Sequence, residues 1–258
     1  MDIHQIKTPL SNSYVVSGEG GLLVVDVGVR CHEYVLGFLT EELRRDPADV
    51  ELIVCTHDDA DHMGGIRHLA VICQAAFALP YASRSPVKKH ANDPAGWAVR
   101  TATSLLEAAR PRAWKMYASP TRRRRVRERV RTRIDIEAGA VAKLGPDYRL
   151  KDGHLVPGFE QWEVVHTPGH TWDSCCFFHA DSSSLICGDT LLGSSRKDRL
   201  VFPSVYSNRR QLRRSAQRLR ELDPRNVYPG HGSSFHGSRL LHTMGKQSGV
   251  SAPDKGSD

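Results

Sequence analysis

The stretch THDDADHMGG, residues 56–65, carries two histidines and three aspartates within the six positions 57–62. It directly follows the apolar run VELIVC (50–55) and directly precedes Gly64 and Gly65. A short apolar run bounded by polar and glycine residues reads as a buried strand, so the acidic cluster occupies the turn at a strand end. In extended backbone, residues two apart point the same way, which would set His57, Asp59 and Asp61 on one side. His62 joins them once the chain bends, and the glycine pair permits that bend with no β-carbon in the way. Asp58, pointing opposite Asp59, reads as solvated. Taken alone, the cluster is either a metal site or the solvated start of a helix, where aspartate is favoured by the helix dipole.

The surrounding chain supports a layered α/β architecture. SYVVS (13–17) and LLVVDVG (22–28) flank the glycine-rich GEGG and read as a hairpin. CHEYVLGFLTEELRRD (31–46) has apolar residues at helical spacing and stops before Pro47, GGIRHLAVICQ (64–74) reads as a short helix, and AAFALPY (75–81) as the next strand. SLLEAARPRAWKMY (104–117) looks helical until Pro111, and eight arginines follow between 122 and 133. From Arg125 that run alternates with Val126, Val130, Ile134 and Ile136, as a strand with one basic face would, although a solvated helix fits as well. Residues 84–136 thus read as an arginine-rich insertion: a plain solvated face, or a strip that binds anions or a partner. Beyond it, YRLKDG, EQWEVVHTPGHT, SCCFFHA, SSLICGDT and NVYPGHG read as strands with turns. NRRQLRRSAQRLREL is a helix with Leu212, Ala216 and Leu219 on one face, ended by Asp223-Pro224. Residues 1–244 read as a single domain, and the polar, Gly/Ser-rich 245–258 as a disordered tail.

Three more turns resemble the first. HTPGHT (166–171), GDT (188–190) and PGHG (229–232) each follow an apolar strand and each present histidine or aspartate beside glycine. Turns at four strand ends can meet on one sheet edge. The donors would then be His57, Asp59, Asp61, His62, His170, Asp189 and His231. That is more than one zinc ion takes, but it suits two ions sharing a bridging carboxylate. His166 reads as core or as support behind the site, and His68 and His236 as surface or helix-face residues.

The ordered series THDDADHMGG, TPGHT, GDT, PGHG resembles the metallo-β-lactamase superfamily of αββα-sandwich hydrolases, over roughly residues 3 to 235. The resemblance implies a four-layer fold. It implies one ion on His57, Asp59 and His170, a second on Asp61, His62 and His231, and Asp189 bridging them. Asp61 would orient the attacking oxygen as the catalytic residue, and Asp26, in the DVG turn, would support the site from behind. Tyr206 falls where members of this family often border the substrate pocket. The chain departs from the family at Asp59, where histidine is usual. Carboxylate is itself a competent ligand, and it makes manganese or iron plausible beside zinc. Three aspartates and a bridging hydroxide would balance two divalent ions, and such a hydroxide is a nucleophile at neutral pH because the metal-bound water has a pKa of about 7.

The expected function is therefore binuclear hydrolysis of a small ester, lactone or thioester. A phosphodiesterase or nucleic-acid-processing enzyme using Arg122–Arg133 as its track is the alternative, and a non-catalytic metal-binding protein a third. The helical glutathione-binding region of glyoxalase II enzymes has no place in the 27 residues after His231, whereas shorter thioesterase-like relatives remain compatible. The net charge of +7 permits an anionic small-molecule substrate or nucleic acid without choosing between them. The start of the chain lacks the basic and apolar regions of a secretory signal, and no run approaches ~18 apolar residues. The six cysteines lie mostly in apolar runs and form no Cys-x-x-Cys pair, as buried reduced thiols would. These features lead to the expectation of a soluble, cytoplasmic enzyme. Nothing in the sequence indicates an oligomeric state.

Overall fold

The computed structural model describes residues 1–18, 21–82, 93–111, 144–242 and 244. The arginine run 122–133 and the segment 245–258 lie outside them. The first sheet runs in chain order: β1 (Asp2–Lys7), β2 (Asn12–Gly18), β3 (Gly21–Val25), β4 (Val50–Val54), β5 (Ala76–Pro80) and β6 (Tyr148–Leu150). The β1–β2 and β2–β3 pairs are antiparallel, as a hairpin demands, and those from β3 to β6 are parallel. Parallel neighbours need crossovers. The first contains α1 (His32–Gly37), the next α2 (Ala60–Met63) and α3 (Ile66–Cys73), and the third α4 (Pro94–Ala108).

The second sheet contains β7 (Leu155–Val156), β8 (Phe159–His166), β9 (Cys175–His179), β10 (Ser184–Gly188), β13 (Asn226–Pro229) and β14 (Phe235–His236). Its order is β14-β13-β10-β9-β8-β7. β10 and β13 are parallel, joined through α5 (Arg209–Glu221), while β11 (Leu192–Ser194) and β12 (Arg199–Val201) form a separate ribbon.

Alternation along the strands builds the layers. On β3, Leu22 and Val24 face α1 and α3, packing with Val35, Leu39, Ile66 and Leu69. Leu23 and Val25 face the second sheet, with Trp162, Val164, Phe177 and Ile186. The far face of the second sheet, with Val165, Cys176, Phe178 and Leu185, is covered by Ala216 and Leu219 of α5. Helix, sheet, sheet, helix: this is the αββα sandwich. A strand covered on both faces is apolar along most of its length, which is why β3, β4 and β10 read as hydrophobic runs, broken in β4 only by the exposed Glu51 near its start.

Three local expectations need correction. The helix expected over 31–46 is α1 followed by a π-helical turn, Phe38–Glu42. α4 begins at Pro94, ten residues before SLLE, with Asp93 accepting from the Gly96 amide as N-cap; proline at the first helical position suits that start. Its Trp97, Leu105 and Leu106 are exposed, so its apolar spacing gave no clear inner face. Third, the cluster at 57–62 is not extended beyond Asp59. Asp59 is the N-cap of α2, which contains Asp61 and His62. The backbone passes from extended at Asp59 into helix at Ala60, so Asp59 and Asp61 part company.

All six cysteines are free and buried. Burial pushes the Cys73 and Cys176 thiols up to about 11. Among the described residues no helix is long and apolar enough to cross a membrane.

Candidate metal centre

Five strand ends deliver side chains to one edge of the sandwich. Asp26 follows β3, Thr56 and His57 follow β4, His170 follows β8, Asp189 follows β10 and His231 follows β13. The α2 turn adds Asp59, Asp61 and His62. Three groupings result: His57, Asp59 and His170; Asp61, His62 and His231; and His57, His62 and Asp189. Within each, the potential ligand atoms lie within 4.8 Å of one another. All seven expected donors therefore converge, split by α2 into the two triads that the resemblance implies. Asp189 stands between them: Oδ1 lies 3.4 Å from His62 Nε2, and Oδ2 lies 3.3 Å from His231 Nε2 and 3.7 Å from His170 Nε2. Gly230 makes room for this, since a β-carbon there would run into Asp189 Oδ1 and the His62 ring.

The imidazoles are oriented from behind. Asp26 has φ 59°, a left-handed conformation that aspartate tolerates better than most residues. It accepts the Thr56 amide and hydroxyl, each at 2.7 Å, and faces His62 Nδ1 at 2.8 Å. The Thr56 hydroxyl, having donated to Asp26, accepts from His57 Nδ1 at 3.1 Å. His170 Nδ1 meets the Val205 carbonyl at 2.8 Å, which leaves that nitrogen the donor. In all three rings Nδ1 is engaged from behind, so Nε2 is the nitrogen that faces the cluster, as a metal requires.

Those three Nε2 atoms and Asp189 Oδ1 are buried with no hydrogen-bond partner. Buried polar atoms are otherwise nearly always paired, so four orphans spread over these adjoining groupings fit bound cations. The electrostatics agree. Burial opposes charge on His62, yet Asp189 and then Asp26 raise its pKa well above the usual value. His231 is drawn up to about 9, against burial, chiefly by Asp189. Burial works against ionisation of Asp189 as well, but His231 and His62 hold it well below the carboxylate range. Asp59 behaves likewise: burial is outweighed by His57, His170 and Arg100.

Arg100, from α4, was not singled out by the sequence. Its Nη2 is bonded to Asp59 Oδ2, the oxygen that also faces His57 Nε2 at 3.3 Å and His170 Nε2 at 3.5 Å. No local spacing connects residues 59 and 100, so no motif could have announced it. Asp173 is a second such residue: buried, it accepts the Asp58 amide at 2.9 Å and secures the cluster's first turn.

His166, His68 and His236 make their contacts elsewhere. His166 Nε2 meets the Trp172 carbonyl at 2.9 Å, His68 stacks on His32 with centroids 5.2 Å apart, and the exposed His236 pairs with Asn226. Tyr206 lines a cavity of about 610 Å³ with Leu106, Arg110, Phe202, Arg209 and Arg213. Val205, which holds His170, lies between Ser204 and Tyr206 of that wall, so cavity and cluster adjoin.

With this geometry in view, known proteins give a consistent picture. The chain matches acyl-coenzyme A thioesterase MBLAC2 of Bos taurus with 28% identity over 243 residues, covering 90% of this chain and 76% of that protein. A 50-residue stretch is 42% identical to hydroxyacylglutathione hydrolase of Francisella tularensis subsp. novicida, spanning 19% of this chain and 20% of that one. The crystal structure of a metallo-beta-lactamase family protein from Thermus thermophilus shares the fold, with a TM-score of 0.59, 20% identity and coverage of 93% of this chain and 77% of that chain. The model of the metallo-beta-lactamase superfamily matches residues 7–231, a span that contains every donor described above. The chain belongs to the metallo-beta-lactamase superfamily of metal-dependent hydrolases.

Proposed function

We propose that the chain hydrolyses a small ester, lactone or thioester, thioesters foremost, at a pair of divalent ions. His57, Asp59 and His170 would hold one ion, Asp61, His62 and His231 the other, with Asp189 shared. The observation that carries this is the set of buried, unpartnered donors, three imidazole Nε2 atoms and Asp189 Oδ1, at one sheet edge. The thioester emphasis rests on the relative named as an acyl-coenzyme A thioesterase, which aligns over 90% of this chain. Zinc, manganese and iron all suit a mixed imidazole and carboxylate donor set. When bound, the ions would lower the pKa of a water to about 7 and polarise the substrate carbonyl.

The protein's own groups do the rest. Asp61 is the cluster carboxylate most open to solvent, its side chain 38% exposed, so it can orient the attacking water and accept its proton. The carbonyl carbon gains oxygen, the bond to sulfur or alkoxy oxygen breaks, and the proton leaves with the thiol or alcohol. Arg209 and Arg213, opposite an Arg110 paired with Glu107 at 2.9 Å, leave the adjoining cavity with a net positive wall that favours an anionic substrate, and Tyr206 borders it. Six free, buried cysteines suit a reducing, cytoplasmic setting.

The test is a panel of acyl-coenzyme A thioesters, lactones, nitrophenyl esters and phosphodiesters, with enzyme stripped by chelator and then reloaded with zinc or manganese. Thioesters should turn over fastest, chelation should abolish turnover, and Asp61→Ala or His170→Ala should lower kcat/KM by roughly 100-fold or more. Full activity in chelator would overturn the mechanism, and cleavage confined to phosphodiesters would overturn the substrate class.

A further inference from the structure

Asp59 Oδ2 is claimed twice. It completes the His57 and His170 triad, and it also receives the guanidinium of Arg100. The pair is shielded from water, with side chains 24% exposed for Arg100 and 20% for Asp59, so screening is incomplete and the charges act at close range. Arginine cannot step aside by losing its proton, as a histidine can.

Nor is the guanidinium on a loose tether. One helical turn on from Arg100, the Thr103 hydroxyl donates to the Tyr206 carbonyl at 3.2 Å and lies 3.3 Å from the Tyr206 amide. Tyr206 adjoins Val205, the residue that orients His170. The same contact therefore ties α4, which carries the competing cation, to the loop that orients a ligand histidine. The other triad has no counterpart: among the described residues, the ion-pair partners of Asp61 are His62 and His231.

We propose that Arg100 makes the two ion sites unequal, leaving the His57, Asp59 and His170 site the weaker and more exchangeable of the pair. A divalent ion entering there must share Asp59 with a permanent positive charge and stand close to it. The carboxylate has lone pairs enough for both, so the guanidinium weakens the ion's hold without excluding it. The site that pairs Asp61, His62 and His231 carries no such handicap and fills first. This rests on the two-ion reading of the centre, and the experiment below keeps the two apart.

Apoprotein prepared by chelation is titrated with zinc against a chromophoric competitor, and metal bound per chain is read by elemental analysis after gel filtration. Wild type should bind one equivalent tightly and a second at least about tenfold more weakly. Arg100→Met should tighten the second by at least about tenfold and leave the first unchanged. Arg100→Gln, which removes the charge but retains hydrogen-bonding capacity, should do the same, and circular dichroism confirms that the variants are folded. Two equal constants in wild type, or constants unmoved in folded Arg100→Met and Arg100→Gln, would overturn the role of Arg100 while leaving a two-ion centre standing. A chain that binds no zinc in any form would overturn both.

Discussion

His62 and His170 present the same atom to the same cluster, yet they are held by different things. His62 is fully buried, with Nδ1 against the Asp26 carboxylate, itself fixed by two donors from Thr56. His170 leans on a neutral carbonyl of the 202–206 loop, and its triad partner Asp59 is tied to Arg100. A carboxylate behind an imidazole raises its basicity and its strength as a ligand more than a carbonyl does. One half of the centre is therefore anchored by buried charge in the sheet core. The other shares that network only through Thr56 and His57, and sets His170 and Asp59 against a loop and α4, with a cation in competition. The variants below should separate the halves if the difference is real and should weaken them alike if it is not.

Asp26→Asn should produce the largest effect. If the amide nitrogen takes the place of Oδ2, it sets donor against donor at His62 Nδ1 and drives the ring proton toward Nε2, the atom the cluster needs bare. Affinity for the ion on Asp61, His62 and His231 should fall about 10- to 100-fold. Because buried donors lose a charged acceptor, stability should fall by about 3 kcal/mol. Zinc competition and urea unfolding of the apoprotein measure the two losses, and nitrogen NMR of the imidazoles would show the changed tautomer. Equal weakening of both ion sites would mean that Asp26 serves the whole centre through Thr56, and the asymmetry between the halves would fail.

How far the sequence announces these halves depends on how local each signal is. THDDADHMGG, TPGHT, GDT and PGHG each place donors at a strand end, and parallel or sandwiched strands bring such ends to one edge, so the convergence of His57, His170, Asp189 and His231 was legible. So were the layers, because β3, β4 and β10 are dominated by buried apolar residues, with Glu51 the one exposed charge among them. The direction of Asp59 relative to Asp61 was not. An extended segment and a helical N-cap share the same residues, and only the α2 geometry decides between them. Arg100 was invisible, since its meaning lies in a contact between residues 59 and 100 across a helix whose exposed Trp97, Leu105 and Leu106 disguise its faces. The ribbon of β11 and β12, with three residues in each strand, is too short to show a period.

Gly169→Ala tests the loop-held half. Gly169 has φ +140°, and a β-carbon there would strike the backbone of Leu212 at the start of α5. Its carbonyl also accepts the Ser207 and Asn208 amides, both at 2.9 Å, which fastens the turn to the loop that orients His170. The variant must shift that turn. A loss of about 1–3 kcal/mol in urea unfolding is expected, with weakening confined to the ion on His57, Asp59 and His170. If the Asp61, His62 and His231 site weakens equally, the two halves are one mechanical unit.

The smallest effect concerns pH, and it sets the cluster against a second histidine pair. His32 lies under His68, and burial, followed by the His68 charge, lowers its pKa to about 4. His32 therefore binds fewer protons folded than unfolded between about pH 6.5 and 4. Its contribution to stability is complete above pH 6.5 and is lost as the pH falls toward 4. His231 acts in the opposite sense: raised to about 9, it stabilises the apoprotein at low pH and ceases to do so as the pH climbs through 9. Between pH 6.5 and 4 acid should thus erode stability at His32, whereas the cluster carboxylates, held below the usual range, lose theirs only in stronger acid. His32→Phe should remove about 1–2 kcal/mol of the loss between pH 6.5 and 4, read from urea midpoints of apoprotein at intervals across that range. An unchanged slope in His32→Phe would place the acid sensitivity in the cluster after all, and the two regions would no longer respond to protons in opposite senses.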